Sequence, residues 1–474
     1  MSSAAGLWYT LTRARAFRWD ELVTALEQVS FFTCSTALPA QGGQGRAHVS
    51  RTFVGFGLGP IQAGLFLLEA LRSGNFRRLV VSEVDRTLVE AVRRNRGTCT
   101  INVAHLDRLE SADVTGVEVH DPTDPRDRPA LLAAIGEAEE LATAIPAVEA
   151  YAQGGEASVA SLLAHGLTRG RPRIIYAAEN HNFAAELLEQ AVSAERPDFP
   201  RETTGFLNTV IGKMSRATAD PGEMAQLGLR PLVPGFGRAY LVEAFNRILI
   251  SRVRLAGFPR GITVFEEKDS LLPFEEAKLY GHNAIHALLA YLGYVAGYDF
   301  IAEAAADDRI ASVAREAFLA ESGAPLCRKH GRLGDPLFTP AGYQAYALDL
   351  LARMANPHLH DTVARVARQP ARKLAYGDRI FGTIRLALER AVRPTRMALA
   401  AAGALLYLKQ DGRPLPRGQA PASLLSPAEA EATLLRLWGK EARQDDLAPQ
   451  LLALTRGAIE RSGEFQRAVS GEGG

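Results

Sequence analysis

Cysteine is scarce in this chain: Cys34, Cys99 and Cys327 are the whole supply in 474 residues. Three scattered thiols exclude a disulfide framework and a thiolate zinc site, and they fit a reducing compartment. An excess of either charge is missing too. The 54 basic and 53 acidic residues leave a net +1, which gives no footprint for nucleic acid or an anionic membrane. That sum still hides local clusters. The longest apolar run, Met397 to Leu408, falls well short of the ~20 residues that span a bilayer, and its alanine content reads as a buried helix. The first fifty residues lack an apolar signal core, and Asp20, Glu21 and Glu27 among Arg13, Arg15 and Arg18 argue against a transit peptide. These absences lead us to expect a soluble, cytoplasmic protein with a small-molecule partner, no nucleic acid and no membrane.

What is present begins at Arg51. The chain is too long for one core, so two domains are expected. Residues 1–50 read as an extension of unknown role, with a short amphipathic helix over 19–29 and a Gly/Gln-rich linker over 41–45. Thr52 to Val54 is β-prone and opens onto Gly55-Phe56-Gly57-Leu58-Gly59, after which leucines at helical spacing run to Leu71. A turn and the strand Leu79 to Glu83 complete a βαβ unit. Further strands are expected at 117–119, 141–145 and 173–178, with helices at 128–139 and 158–168. Beyond Gly205 helical patterns dominate, at 284–297, 310–322, 341–354 and 427–436. The expected architecture is α/β: a Rossmann-type domain over 51–205, a mostly α-helical domain over 206–420 and a helical tail over 421–474.

Glycines after a first strand let the backbone turn tightly and approach a pyrophosphate, whose charge is met by amides at the helix start. Here Gly55, Gly57 and Gly59 are followed by Pro60, and Gly64 is a further small residue for close helix packing. Phe56 and Leu58 lie in the same turn. Glu83, ending the second strand, would accept hydrogen bonds from ribose hydroxyls and repel a 2′-phosphate, which favours NAD over NADP. Arg77 and Arg86 weaken that preference.

A second informative segment runs from Glu275 to His286. Treated as one α-helix with Lys278 at zero, it places Glu275 at about 60°, His286 at about 80° and Asn283 at about 140°, with Tyr280, Ile285, Leu288, Tyr291, Leu292 and Val295 opposite. A solvated polar face is the commoner origin of such a pattern. One lysine among His282, Asn283 and His286 is an unusual solvent face, however. A desolvated lysine can take the proton of a secondary alcohol without a metal, and an asparagine can stabilise the alkoxide.

The string EAKLYGHNAIHALLAYLG, with Lys278, Asn283 and His286 in the spacing K-x4-N-x2-H, resembles the polyol-specific long-chain dehydrogenases. Glu179-Asn180, closing the strand IIYAAEN, resembles a second motif of that family, and ARQPARKLAYGDR from Ala367 to Arg379 is similar to a segment of its sugar-phosphate branch. The resemblance covers the chain from about Phe53 onward. It implies a zinc-independent, NAD-dependent oxidoreductase with its active site between two domains. Lys278 would be the base, Asn180 and Asn283 would hold the reacting oxygen, His286 would orient the substrate and Glu275 would assist proton exit. Thr143 and Ala144, with Ile145-Pro146, would border the cofactor.

Arg368, Arg372, Lys373 and Arg379 form a basic cluster suited to a phosphate, or else an ordinary exposed face paired with Asp378. The family pattern tips the expectation toward interconversion of mannitol 1-phosphate and fructose 6-phosphate by a monomer or homodimer. A free polyol or hexuronate remains the alternative, and a non-catalytic NAD-binding sensor is the reading from another class. Two departures from the family put the substrate in doubt: Ile61 replaces an arginine after the glycine turn, and Gly212-Lys213 stands where the family has Asp-Arg.

Overall fold

The computed structural model describes residues 51–415 and 424–470, without the side chains of 443 and 462–470. The expected extension over 1–50, with Cys34, lies outside them. Residues up to Glu275 form one compact unit and residues from Glu276 onward form another.

Among its described residues the first unit holds twelve strands: β1 (Arg51–Phe56), β2 (Phe76–Ser82), β3 (Cys99–Ala104), β4 (Leu109–Val114), β5 (Val117–His120), β6 (Glu140–Thr143), β7 (Arg173–Ala177), β8 (Thr204–Val210), β9 (Ser215–Thr218), β10 (Ala239–Glu243), β11 (Leu249–Ser251) and β12 (Glu266–Lys268). The larger sheet has the order β12-β11-β8-β7-β6-β1-β2-β5. Its six strands from β5 to β8 are all parallel, and their chain order is that of the doubly wound dinucleotide fold. The order reverses between β1 and β6, so a crevice opens at the carboxyl ends of those two strands. Such strands are covered on both faces, which is why β1, β6 and β7 are almost wholly buried.

A second sheet, β4-β3-β10-β9, packs against the helical run that follows β1. That run starts as a π-helix, Gln62–Leu67, and continues as an α-helix, Leu68–Ser73. Gly64 makes the approach possible, because a Cβ there would stand 2.5 Å from the Val242 side chain on β10. The boundary expected near residue 205 falls inside the larger sheet, at the start of β8, and the unit continues to Glu275.

The second unit is helical. Its centre is Ala284–Ala296, which buries Ile285, Leu288, Leu289 and Tyr291 completely. The expected alanine-rich helix spans Met397–Lys409 and lies against it; a Cβ on Gly403 would stand 3.0 Å from that of Tyr291. Tyr407 makes edge contacts with Tyr291 and Tyr294, at ring separations of 5.9 and 4.9 Å. Among the described residues no helix is long and apolar enough to cross a membrane.

Candidate active site

The glycine turn sits at the carboxyl end of β1 and is held from three directions. The Gly57 amide donates to the Ser82 carbonyl at 2.8 Å, and the Leu58 amide donates to Glu83 Oε2 at 2.6 Å. The Tyr240 hydroxyl donates to the Leu58 carbonyl at 2.7 Å. Gly57 has φ +80°, a conformation costly for any residue with a Cβ, and such an atom would lie 3.1 Å from the Ala144 carbonyl oxygen. Around Gly59 the same construction meets nothing within 4 Å. The turn is therefore rigid behind and open in front, at the start of a helix, which fits a pyrophosphate. Phe56 and Leu58 are buried, so the turn offers backbone groups rather than their side chains.

Glu83 has a second role that sequence reasoning missed. Besides Leu58, it accepts the Asp85 amide on Oε1 at 2.8 Å, and the residue is buried. The acid expected to meet a ribose thus also fastens the phosphate turn to the end of β2. Asp85 in turn caps Arg86–Arg94 by accepting from the Thr87 and Leu88 amides. Arg86 is exposed, 3.5 Å from Asp121.

The ends of β6 and β7 are tied by Glu179. This buried carboxylate accepts from Thr143 Oγ1 at 2.8 Å, from the Ile145 amide at 3.0 Å and from the Tyr151 hydroxyl. Burial is the main force raising the Tyr151 phenol far above its usual range, with the facing carboxylate adding to it. Thr143 is therefore spent on Glu179, and Ala144 stands beside Gly57. Asn180 follows on an exposed bend at the same sheet edge, where the His181 amide returns to the Glu179 carbonyl at 2.8 Å. The departure at Gly212-Lys213 has a structural use: Lys213 is buried and its Nζ donates to the Phe245 carbonyl at 2.8 Å.

In the second unit the lysine segment departs from the single α-helix assumed above. Leu272–Ala277 is α, Lys278–Asn283 is a π-helix, and Ala284–Ala296 is α again. A π turn closes i to i+5 and recurs at functional sites. With fewer degrees per residue than an α-helix, it brings Asn283 closer in rotation to Lys278 than the roughly 140° of the 100° wheel. Lys278, Asn283 and His286 are all partly buried. The expectation of one packing face was also too narrow, because Ala284–Val295 is buried all round except at His286.

The π turn is packed tightly by its neighbours. A Cβ on Gly281 would stand 2.7 Å from the Tyr343 hydroxyl and 3.0 Å from the Phe318 ring. Tyr343 is itself bonded to Ser322, at 2.8 Å, inside a second π-helix, Ala317–Gly323. Around the site, Glu276 binds Lys329 Nζ and His330 Nε2, each at 2.7 Å. His282 is buried, and burial holds its imidazole well below the usual range, with Arg353 contributing. His286 Nε2 lies 3.1 Å from Asp361 Oδ2, at ion-pair distance but without hydrogen-bond geometry.

The basic cluster divides. Arg368 and Arg372 are exposed, but Lys373 is buried and its Nζ donates to the Arg368 carbonyl. Burial, helped by Arg379 and Arg372, lowers the Lys373 ammonium to about 7. Arg379 is largely covered and bonds Asp378 at 2.7 Å. The four cations therefore do not present one open face.

Residues 270–422 match the mannitol dehydrogenase C-terminal domain, a stretch that contains Lys278, Asn283, His286 and the basic cluster. The chain is also similar in fold to the Pseudomonas fluorescens mannitol 2-dehydrogenase solved as a ternary complex with NAD and D-mannitol. The TM-score is 0.64 at 16% identity over 90% of this chain and 95% of that one. A D-sorbitol dehydrogenase in substrate-free form matches at TM-score 0.67, 16% identity, and 89% and 95% of the two chains.

Proposed function

We propose that the chain is an NAD-dependent oxidoreductase that interconverts a polyol and the corresponding ketose. One observation carries this reading. The stretch that matches the mannitol dehydrogenase C-terminal domain holds Lys278, Asn283 and His286, the first two at the ends of one π-helix. The glycine turn, with Gly57 at positive φ and Glu83 behind it, supports the cofactor assignment.

NAD, when bound, supplies the hydride acceptor. Gly55, Gly57 and Gly59 would receive its pyrophosphate and Glu83 its ribose, with Thr143 and Ala144 bordering it. Lys278 takes the hydroxyl proton as hydride leaves the same carbon. The amides of Asn180 and Asn283 donate to that oxygen as its charge develops, and such donors are worth roughly 3–4 kcal/mol each in the transition state. His286 orients a neighbouring hydroxyl, and Glu275 passes the proton on.

The free polyol is favoured at least as much as the phosphate. Lys373 and Arg379 are committed to protein partners, which leaves Arg368 and Arg372 as the exposed candidates for a phosphate. The test is a panel of free and phosphorylated polyols and ketoses, followed at the NADH absorbance. Lys278→Ala should lower turnover by about a thousandfold or more while NADH binding stays within about twofold. If no member of the panel changes the absorbance but NADH still binds, the reading as a non-catalytic NAD-binding sensor gains. A preference for phosphates that Arg368→Ala or Arg372→Ala removes would establish the narrower substrate.

A further inference from the structure

Asp361 lies outside every motif considered above, yet it faces the one residue of Ala284–Val295 that is not fully buried. Its carboxylate is held in a fork by Arg365, with Nε on Oδ1 and Nη2 on Oδ2, both at 2.6 Å. Aspartate and arginine four residues apart at a helix start favour this pairing. The segment is fixed at both ends. The Asp361 carbonyl accepts the Ile301 amide at 2.8 Å, Phe300 and Thr362 form a β-bridge, and the Val363 amide reaches the Asp299 carbonyl at 2.8 Å. At the far end the Tyr291 hydroxyl, on the helix that carries His286, donates to the Ala367 carbonyl at 3.0 Å.

The Asp361 side chain is 6% exposed and that of His286 13%. Burial pushes the Asp361 carboxyl up, but the contacts with His286 and Arg365 outweigh it and hold the group ionised. An ionised carboxylate only accepts, so a ring nitrogen 3.1 Å from it is favoured with its proton on, although the pair is short of hydrogen-bond geometry. In a neutral ring the other nitrogen is then an acceptor.

We infer that Asp361, braced by Arg365, is a positioning residue that fixes His286 as the Nε2–H tautomer, so that Nδ1 accepts a hydrogen bond from a substrate hydroxyl. The inference rests on the role proposed for His286 and adds its polarity. The substrate group beside the reacting carbon must be a donor, an alcohol rather than a carbonyl or an ether. A purely structural Asp–His contact would hold the helix but would not bear on substrate.

Two readouts test it. In protein labelled at histidine with 15N, long-range proton–nitrogen correlations, assigned by loss of signal in His286→Gln, should show His286 protonated at Nε2. In Asp361→Asn the ring should become a mixture of tautomers or switch. Kinetically, Asp361→Asn should raise the polyol KM about tenfold or more, with kcat reduced less and NADH affinity unchanged. Asp361→Glu should recover part of the loss. Melting curves will show whether Asp361→Asn folds; if it does not, the tautomer of the wild type decides alone. A wild-type ring protonated at Nδ1 overturns the inference, and so does a folded Asp361→Asn with unchanged tautomer and KM. Failure of the wild type to oxidise any polyol sinks the proposed function without touching the tautomer measurement.

Discussion

Glu83 Oε2 accepts the amide of Leu58 at 2.6 Å, so the acid closing β2 is bonded to the glycine turn closing β1. The same carboxylate holds the Asp85 amide, and the residue is buried. Glu83→Ala would leave both donors without their acceptor, at about 1–3 kcal/mol each where water cannot reach. We expect a lower melting temperature and an NADH affinity weaker by tenfold or more. Glu83→Gln keeps one acceptor and should lie between. Fluorescence titration with NADH, beside a melting curve, checks this, and an unchanged affinity in Glu83→Ala would refute it.

Two glycines of that turn should behave differently. Gly57→Ala meets both a positive φ and the Ala144 carbonyl, so we expect a stability loss of about 1–2 kcal/mol together with weaker cofactor binding. Gly59→Ala has ordinary φ and open space, so its stability should stay within about 0.5 kcal/mol. Its NADH affinity should nonetheless fall, because the added methyl points where the pyrophosphate would lie. An unchanged NADH affinity in Gly59→Ala would place the phosphate elsewhere.

Five strands of the parallel run, β1, β2, β5, β6 and β7, were legible in the sequence, because they are short apolar runs between turns and helical stretches. β3, β4 and the strands from Thr204 onward were not. Glu266–Lys268 reads Glu-Glu-Lys, and Leu109–Val114 carries two acids in six residues, so neither shows strand alternation. The Lys278 segment was found by residue type but misplaced on its helix, because a wheel of 3.6 residues per turn cannot represent a π turn. Lys373 and Arg379 were read as part of a phosphate-binding cluster, since nothing local distinguishes a buried, internally paired cation from an available one. Asp361 went unnoticed for a different reason: its partner His286 lies in another helix, and only the Arg365 spacing was visible in sequence.

The π turn at Lys278 depends on Gly281. A methyl group there would press on Tyr343 and Phe318, both completely buried side chains. Overpacking of this kind costs about 1–3 kcal/mol. If the turn relaxes toward α geometry to relieve it, Asn283 rotates away from Lys278. Gly281→Ala should then lose far more turnover than its fall in stability explains, with NADH affinity intact. Turnover reduced only in proportion to the unfolded fraction would argue that the π geometry carries no function.

Glu321 gives the second unit a dependence on pH. Its oxygens accept the amides of Arg396 and Met397 at 2.9 and 2.8 Å, at the start of Met397–Lys409. Burial raises its carboxyl from 4.5 to about 7, against the pull of those two amides and Arg396. A raised folded-state value means that the native protein binds the proton more tightly than the unfolded chain. The resulting stability is complete below pH 4.5 and is lost as pH rises through 7, a change of roughly 3 kcal/mol at most. Lys373 acts at higher pH and in the opposite direction. Its lowered value makes the unfolded chain bind more protons between about 7 and 10.5, so its burial penalty fades as pH rises. Melting temperatures of wild type and Glu321→Gln between pH 5 and 8 separate the two groups. The wild type should lose several degrees over that range relative to the variant, and parallel curves would show that the Glu321 carboxyl titrates near its ordinary value.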